Sequence, residues 1–190
     1  VTGATGFIGR YLVQSLLQKG KGTIYVLVRP KSIGKLDELR EFWGKDSLKR
    51  VVPIKGDLGL PKLGVARGDL TKLKGKVKHF YHLGAVYDLE ASAEAMEKAN
   101  ITGTRGALEF AEAVNAGCFH LVSSIAAAGL YRGTFTEDMF EEAEELEHPY
   151  HSTKHDSEAM VRANGRIPFR VYRPSAVLGH SQTGFIDKID

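Results

Sequence analysis

Tyr150 and Lys154 lie four residues apart in Tyr150-His151-Ser152-Thr153-Lys154, a separation that stacks two side chains on one face of a helix. An ammonium beside a phenol favours the phenolate. The pair therefore suits a proton donor acting on an oxygen that gains charge during a reaction. Of the seven tyrosines, only Tyr150 has a lysine four residues on. Two hydroxyls, Ser123 and Ser124, end the run Phe119-His120-Leu121-Val122. At the C-terminal end of a parallel strand, where open α/β sheets bind ligands, a serine can hold that same oxygen. A third chemical stretch opens the chain: Val1-Thr2-Gly3-Ala4-Thr5-Gly6-Phe7-Ile8-Gly9, with glycines every three residues. Gly3 permits a tight turn, Gly6 lets the backbone approach a diphosphate, and Gly9 lets the following helix lie flat on a sheet. The free N–H groups of that helix and its dipole attract an anion.

Other candidate groups carry less. His148, His151 and His155 have a spacing that could hold a metal on a helix, but no cysteine or further ligand accompanies them, and His151 and His155 share a face rotated away from Tyr150; no metal is expected. Cys118 reads as core filler, and Trp43 as packing.

The elements that must position these groups alternate between strand and helix. Phe7, Ile8, Leu12, Val13, Leu16 and Leu17 recur at helical spacing and Gly20 closes the run. Thr23–Val28 is nearly all apolar and β-branched, as in a strand buried on both faces. A helix over Lys35–Trp43 precedes a short strand, Val51–Ile54, whose Pro53 implies an irregular start or an edge position. Gly59–Lys78 reads as loop, short helix and solvated charge. His79–Ala85 is a strand ending in small residues, and Val86-Tyr87-Asp88 follows in a loop expected near the substrate. Ala93–Ala116 is the longest helical pattern, with Gly103 inside it for close packing. Phe135–Pro149 holds seven carboxylates; Thr136-Glu137-Asp138 is expected to cap a short helix there. A helix runs from Tyr150 to about Ala163, and Phe169–Pro174 is the last strand. The expectation is an α/β fold, a doubly wound parallel sheet with right-handed crossovers.

The 190 residues carry 26 basic and 23 acidic side chains, a net charge of +3, and 43% are hydrophobic, enough for one domain over residues 1–190. The basic residues are scattered, so no nucleic-acid partner is expected. No apolar run reaches spanning length, no signal peptide is visible, and a single cysteine closes no internal disulfide; the expected setting is cytoplasmic. Only Val1 and Thr2 precede the glycine turn, and Ile186-Asp187-Lys188-Ile189-Asp190 completes no element. The expectation is a fragment that lacks the start of its first strand and a C-terminal substrate region, and that folds poorly alone.

The motif Thr-Gly-x-x-Gly-x-x-Gly, with Tyr150 and Lys154 downstream of strand-end serines, resembles the extended short-chain dehydrogenase/reductase superfamily. Three further stretches resemble its thioester reductase and fatty acyl-CoA reductase group: Val26-Leu27-Val28-Arg29, His82-Leu83-Gly84-Ala85-Val86-Tyr87-Asp88, and Arg173-Pro174-Ser175-Ala176-Val177-Leu178-Gly179-His180-Ser181-Gln182-Thr183-Gly184. The resemblance implies a Rossmann-like NAD(P)-binding fold and a catalytic set of Ser124, Tyr150 and Lys154. Ser124 is preferred over Ser123 because the family's active serine stands five before a glycine, here Gly129. Cofactor contacts are implied for Gly3, Thr5, Gly6, Phe7, Ile8, Gly9, Arg29, Asp57, Leu58, Leu83, Gly84, Ala85, Tyr150, Lys154 and Pro174. Asp57 and Leu58 would cradle the adenine, and the Asn in Asn100-Ile101-Thr102-Gly103-Thr104 would steady the strands or the active-site water. Gly84 departs from a family pattern that often reads His-Leu-Ala-Ala. Arg29 stands where a carboxylate would select NAD, so NADP(H) is preferred over NAD(H), with Lys31, Ser32 and Lys35 as helpers.

The implied activity is hydride transfer to a carbonyl or acyl thioester. The partners are a small-molecule or acyl-thioester substrate and an acyl-carrier protein, with room for a homo-oligomer. Competing readings are an NAD-dependent sugar-nucleotide epimerase or dehydratase, a hydroxysteroid-type dehydrogenase, and a non-catalytic NADP-sensing protein on the same fold.

Overall fold

The computed structural model describes residues 1–86 and 91–186. Strand β1 (Ile24–Val28) shows why two layers of helices are needed. Its side chains alternate between two cores: Ile24, Val26 and Val28 pack with Val13, Leu17, Leu36 and Trp43, whereas Tyr25 and Leu27 face Ile54, Leu63, Phe80 and Phe110. Period-two alternation with both faces apolar is the pattern of a doubly covered strand.

Helix α1 (Phe7–Lys19) and helix α2 (Gly34–Trp43) cover the first face. Trp43 is buried, and its indole N–H donates to the Arg10 carbonyl at 2.8 Å, tying α2 to α1. A one-turn helix α3 (Ser47–Arg50) leads into β2 (Val51–Lys55), which pairs in parallel with β1. β2 is an edge strand of that pair, and Pro53 sits there without cost to a second ladder.

After a 3-10 turn (Pro61–Gly64) and α4 (Arg67–Leu73) comes β3 (Phe80–His82), which begins the parallel order β3-β4-β5 with β4 (Phe119–Val122) and β5 (Phe169–Tyr172). Val1 and Thr2 join the two sets of strands. Leu27 N–H donates to the Val1 carbonyl (2.9 Å), and Thr2 N–H donates to the Tyr81 carbonyl (2.9 Å). The glycine turn therefore leaves the sheet between β1 and β3, where helices pass to opposite faces and the strand order reverses.

The expected long helix is present with a difference. α5 (Ala93–Met96) and α6 (Gly103–Ala113) flank a π-helical segment, Glu97–Thr102. The Cβ position of Gly103 is in ordinary contact with Leu58, at 3.5 Å; the tight approach falls instead at Gly106, 2.9 Å from the Leu60 carbonyl. The last helix, α7, spans Pro149–Asn164, with Pro149 at its first turn and Gly165 in the left-handed conformation after it. The expected helix at Thr136-Glu137-Asp138 does not form; the segment is a turn in which Met139 N–H donates to the Thr136 carbonyl. No helix among the described residues is long and apolar enough to cross a membrane.

Candidate active site

The glycine turn forms the floor of a cleft of ≈ 990 Å³ at the C-terminal ends of the strands. Gly3 has φ +68°, and a Cβ on it would lie 2.8 Å from the backbone of Leu83 and Gly84. A Cβ on Gly9 would collide with the Gly3 carbonyl. Gly9 thus lets the first turn of α1 close onto the glycine loop itself, rather than onto the sheet as its spacing suggested. Gly6 precedes α1 with no side-chain cap, and the first turn carries no acidic residue. Its N–H groups and the positive end of the helix dipole are left to an anion. These features fit the diphosphate of a dinucleotide.

Thr2, whose role the spacing of glycines hid, positions the opposite wall. Its hydroxyl lies 2.7 Å from His82 Nδ1 and accepts from the backbone N–H groups of Leu83 (3.2 Å) and Gly84 (3.1 Å). His82 Nε2 in turn meets the Thr104 hydroxyl at 3.2 Å. Burial, with the nearby Lys154 charge second, pushes His82 down to about 3, so the ring is neutral and serves as a rigid bridge between Thr2 and α6. Gly84, a departure from the family pattern, has a local reason. A Cβ there would lie 2.5 Å from a Leu58 methyl, and Leu58 is itself part of the cleft wall.

All the residues expected to act together line this one cleft: Gly3, Thr5, Gly6, Phe7, Ile8, Gly9, Arg29, Asp57, Leu58, Leu83, Gly84, Ala85, Ser124, Tyr150, Lys154 and Pro174. Tyr87 and Asp88 lie outside the described residues. One carboxylate oxygen of Asp57 accepts from Gly59 N–H (2.8 Å) in a local turn. Arg29 is exposed at the end of β1, with Ser32 beside it in the wall; Lys31 and Lys35 do not line the cleft. Ser124 caps the short 3-10 turn Ile125–Ala128 by accepting from Ala126 N–H at 3.1 Å, whereas the Ser123 hydroxyl is buried without a hydrogen-bond partner among the described residues.

Asn100 is buried within the π-helical segment. Its Oδ1 accepts from Val86 N–H (2.9 Å), and its Nδ2 donates to the Val86 carbonyl (3.1 Å) and to Thr153 Oγ1 (3.0 Å). One buried amide thus ties the loop after β3 to α7, one residue from Lys154. A wide turn of this kind inside a helix often marks a functional site.

Two of the three histidines around the start of α7 are committed elsewhere. His148 Nδ1 accepts from Tyr150 N–H (3.1 Å), and His155 Nδ1 meets the Ala127 carbonyl (3.0 Å) while its ring stacks on Phe140. His151, expected on a face turned from Tyr150, also lines the cleft.

Lys154 is 6% exposed, and burial alone lowers it to about 8. The folded chain therefore holds fewer protons than the unfolded one between about pH 8 and the ordinary lysine value of 10.5, so stability rises with pH across that window. Below it the buried ammonium costs about 3 kcal/mol. Lys154→Met should remove this cost and raise the melting temperature at pH 7. The Met variant should also lose the rise in stability between pH 8 and pH 10; a rise of wild-type size in denaturant melts of that variant would assign it to another group.

The family model described as male sterility protein matches residues 1–190. The chain is 34% identical over 205 residues to a linear gramicidin synthase polypeptide from Brevibacillus parabrevis, covering 100% of this chain and 4% of that protein. It is 32% identical over 130 residues to a Drosophila melanogaster protein provisionally named fatty acyl-CoA reductase CG8306, covering 60% of this chain and 25% of that protein. Among solved structures, the terminal R domain from the myxalamid PKS-NRPS biosynthetic pathway superimposes with a TM-score of 0.86 at 31% identity, over 98% of this chain and 51% of that one. The chain therefore spans about half or less of each of these relatives.

Proposed function

The chain belongs to the male sterility protein family, as an NAD(P)-binding domain of the thioester and fatty acyl reductase type, and we propose that it carries the hydride-transfer site of an NADPH-dependent reductase of acyl thioesters. The observation that carries this reading is a single cleft lined by both the glycine turn and Ser124, Tyr150 and Lys154. In it the turn and the first N–H groups of α1 would hold the diphosphate, Asp57 and Leu58 would meet the adenine, and Arg29 with Ser32 would meet the 2′-phosphate. A bound nicotinamide supplies hydride. The Ser124 hydroxyl donates to the thioester carbonyl oxygen, and Tyr150 gives its phenolic proton to that oxygen as charge grows there. The Lys154 ammonium stabilises the phenolate left behind. The hemithioacetal so formed releases thiol and aldehyde.

The seven carboxylates between Phe135 and Pro149 disfavour a polyanionic coenzyme A beside α7. A carrier protein presents the same thioester on an arm with one phosphate, so an acyl-carrier protein is the proposed donor. The test is NADPH oxidation by the intact reductase offered carrier-bound acyl thioester and acyl-CoA, with product analysis of a nucleotide sugar in parallel, because epimerisation and dehydration return the hydride and consume no NADPH. Turnover of carrier-bound thioester supports the reading. Conversion of the nucleotide sugar with no NADPH oxidation on either thioester replaces it with the epimerase or dehydratase reading.

Arg29 carries the nucleotide preference. Hydrogen bonds from a charged group to a phosphate contribute about 1.5–3 kcal/mol. Arg29→Asp should therefore lower the NADPH/NADH preference by about 10- to 100-fold, read as the ratio of dissociation constants. An unchanged ratio would remove Arg29 from the site.

A further inference from the structure

Cys118 does not fill the core. It is partly exposed, at the N-terminal end of β4, and it has company. β3 and β4 run parallel in the register Phe80↔Phe119 and Tyr81↔His120. That register sets His79 beside Cys118, and strand alternation puts Cys118 and His120 on one face of β4. One donor atom from each of His79, Cys118 and His120 lies within 4.8 Å of the other two. This is the one such group of potential ligands among the described residues.

We propose that His79, Cys118 and His120 form a three-donor site for a zinc-class divalent cation at the end of the sheet opposite the cleft. The donor set is one thiolate and two imidazoles, the borderline-soft combination that Zn²⁺ and Co²⁺ accept, and three donors leave a fourth position for water. The separation of His79 Nδ1 from His120 Nε2, 3.0 Å, is close to the edge of a tetrahedron built on metal–nitrogen bonds of about 2.0 Å. His120 is also oriented as a ligand must be. Its Nδ1 lies 2.9 Å from the Tyr172 hydroxyl, and its ring stacks on Tyr81 at 4.3 Å between centroids. An oxygen partner on the second ring nitrogen fixes the tautomer and leaves Nε2 as the donor. Among the described residues the Cys118 thiol hydrogen-bonds through one long contact, 3.9 Å, to the Phe119 carbonyl, so it has little to give up.

Binding balances simply. The thiol releases its proton to solvent as sulfur bonds the metal. The proton shared between the two rings moves to the distal nitrogen of His79 or to solvent. The metal then joins the starts of β3 and β4 without touching the glycine turn or Tyr150.

The test titrates the full, tag-free chain with Co²⁺ and then displaces it with Zn²⁺. The expected result is about one Co²⁺ per chain, with the d–d bands of a tetrahedral centre and a thiolate-to-cobalt charge-transfer band in the near ultraviolet. Cys118→Ser should abolish the charge-transfer band. His79→Ala changes an exposed side chain, so it should fold normally and still lose stoichiometric binding. Tyr172→Phe should weaken binding about tenfold. Zn²⁺ at about 100 times its Kd should raise the melting temperature by about 5–10 °C and leave NADPH affinity unchanged. Absence of a charge-transfer band in the wild type, or equal binding by the Cys118→Ser and His79→Ala variants, would overturn the proposal.

Discussion

Tyr150→Phe in the intact reductase is expected to lower single-turnover hydride transfer by about 10²- to 10⁴-fold, the usual range for a lost general acid, with NADPH affinity held within about twofold. The substitution removes one oxygen from a half-buried ring that lines the cleft. The backbone N–H of Tyr150 keeps its hydrogen bond to His148, and the phenol holds no buried polar group of the described residues in place. A buried group orphaned by mutation costs about 1–3 kcal/mol; here none is orphaned, so the melting temperature should stay put. The comparison with Ser124→Ala is instructive. Ser124 also caps the 3-10 turn through Ala126 N–H, so its loss mixes a substrate bond with about 1 kcal/mol of capping. Tyr150 is the cleaner probe. A Tyr150→Phe enzyme with wild-type hydride-transfer rate would remove Tyr150 from the chemistry and leave the cleft as a binding site only.

Features set by neighbours in sequence are legible without the fold. The glycine spacing, the Tyr150 to Lys154 separation and the two-sided apolarity of Ile24–Val28 each follow from local periodicity. What escapes depends on register between distant strands. Thr2, His82 and Thr104 form one hydrogen-bonded line from the start of the chain across β3 to α6, and no short motif encodes it. The gathering of His79, Cys118 and His120 needs the β3–β4 register, which apolar patterning alone does not specify beyond its parity. Cys118 reads as core filler because the strand beside it is apolar; its own position is the strand's partly exposed start. The turn at Thr136 reads as a helix cap for a related reason. Its carbonyl, and that of Met139, accept from Arg173 far along the chain, a tertiary contact that competes with the local cap.

That same arginine carries the second large effect. Glu158→Ala should destabilise the chain by about 3–5 kcal/mol, the cost of leaving a buried charge without its partner. Glu158 is fully buried on α7, between Arg162 and Arg173. Arg173, only 13% exposed, also donates to the carbonyls of Thr136 and Met139 and stacks on Phe135 at 5.1 Å. One carboxylate therefore holds the cation that ties β5 and the acidic segment to the helix bearing Tyr150 and Lys154. Arg162 is 31% exposed, so Arg162→Ala should cost about 1 kcal/mol or less.

Burial pushes the Glu158 carboxyl up, but hydrogen bonds from Arg173 and Arg162, and their charges, outweigh it and leave the group below its ordinary value of 4.5. An acid held low in the fold adds stability that is complete above its unfolded value and is lost as pH falls through the folded one. Melts of the wild type from pH 7 down to pH 3 should show that loss, and melts of Glu158→Gln should start lower and fall less. Hydride transfer should suffer in Glu158→Gln through a higher KM for the thioester, because the acidic segment loosens, while the pH dependence set by Lys154 stays unchanged. A Glu158→Gln chain with wild-type stability at pH 7 would show that the two arginines find other partners, and that the carboxylate does not organise this side of the cleft.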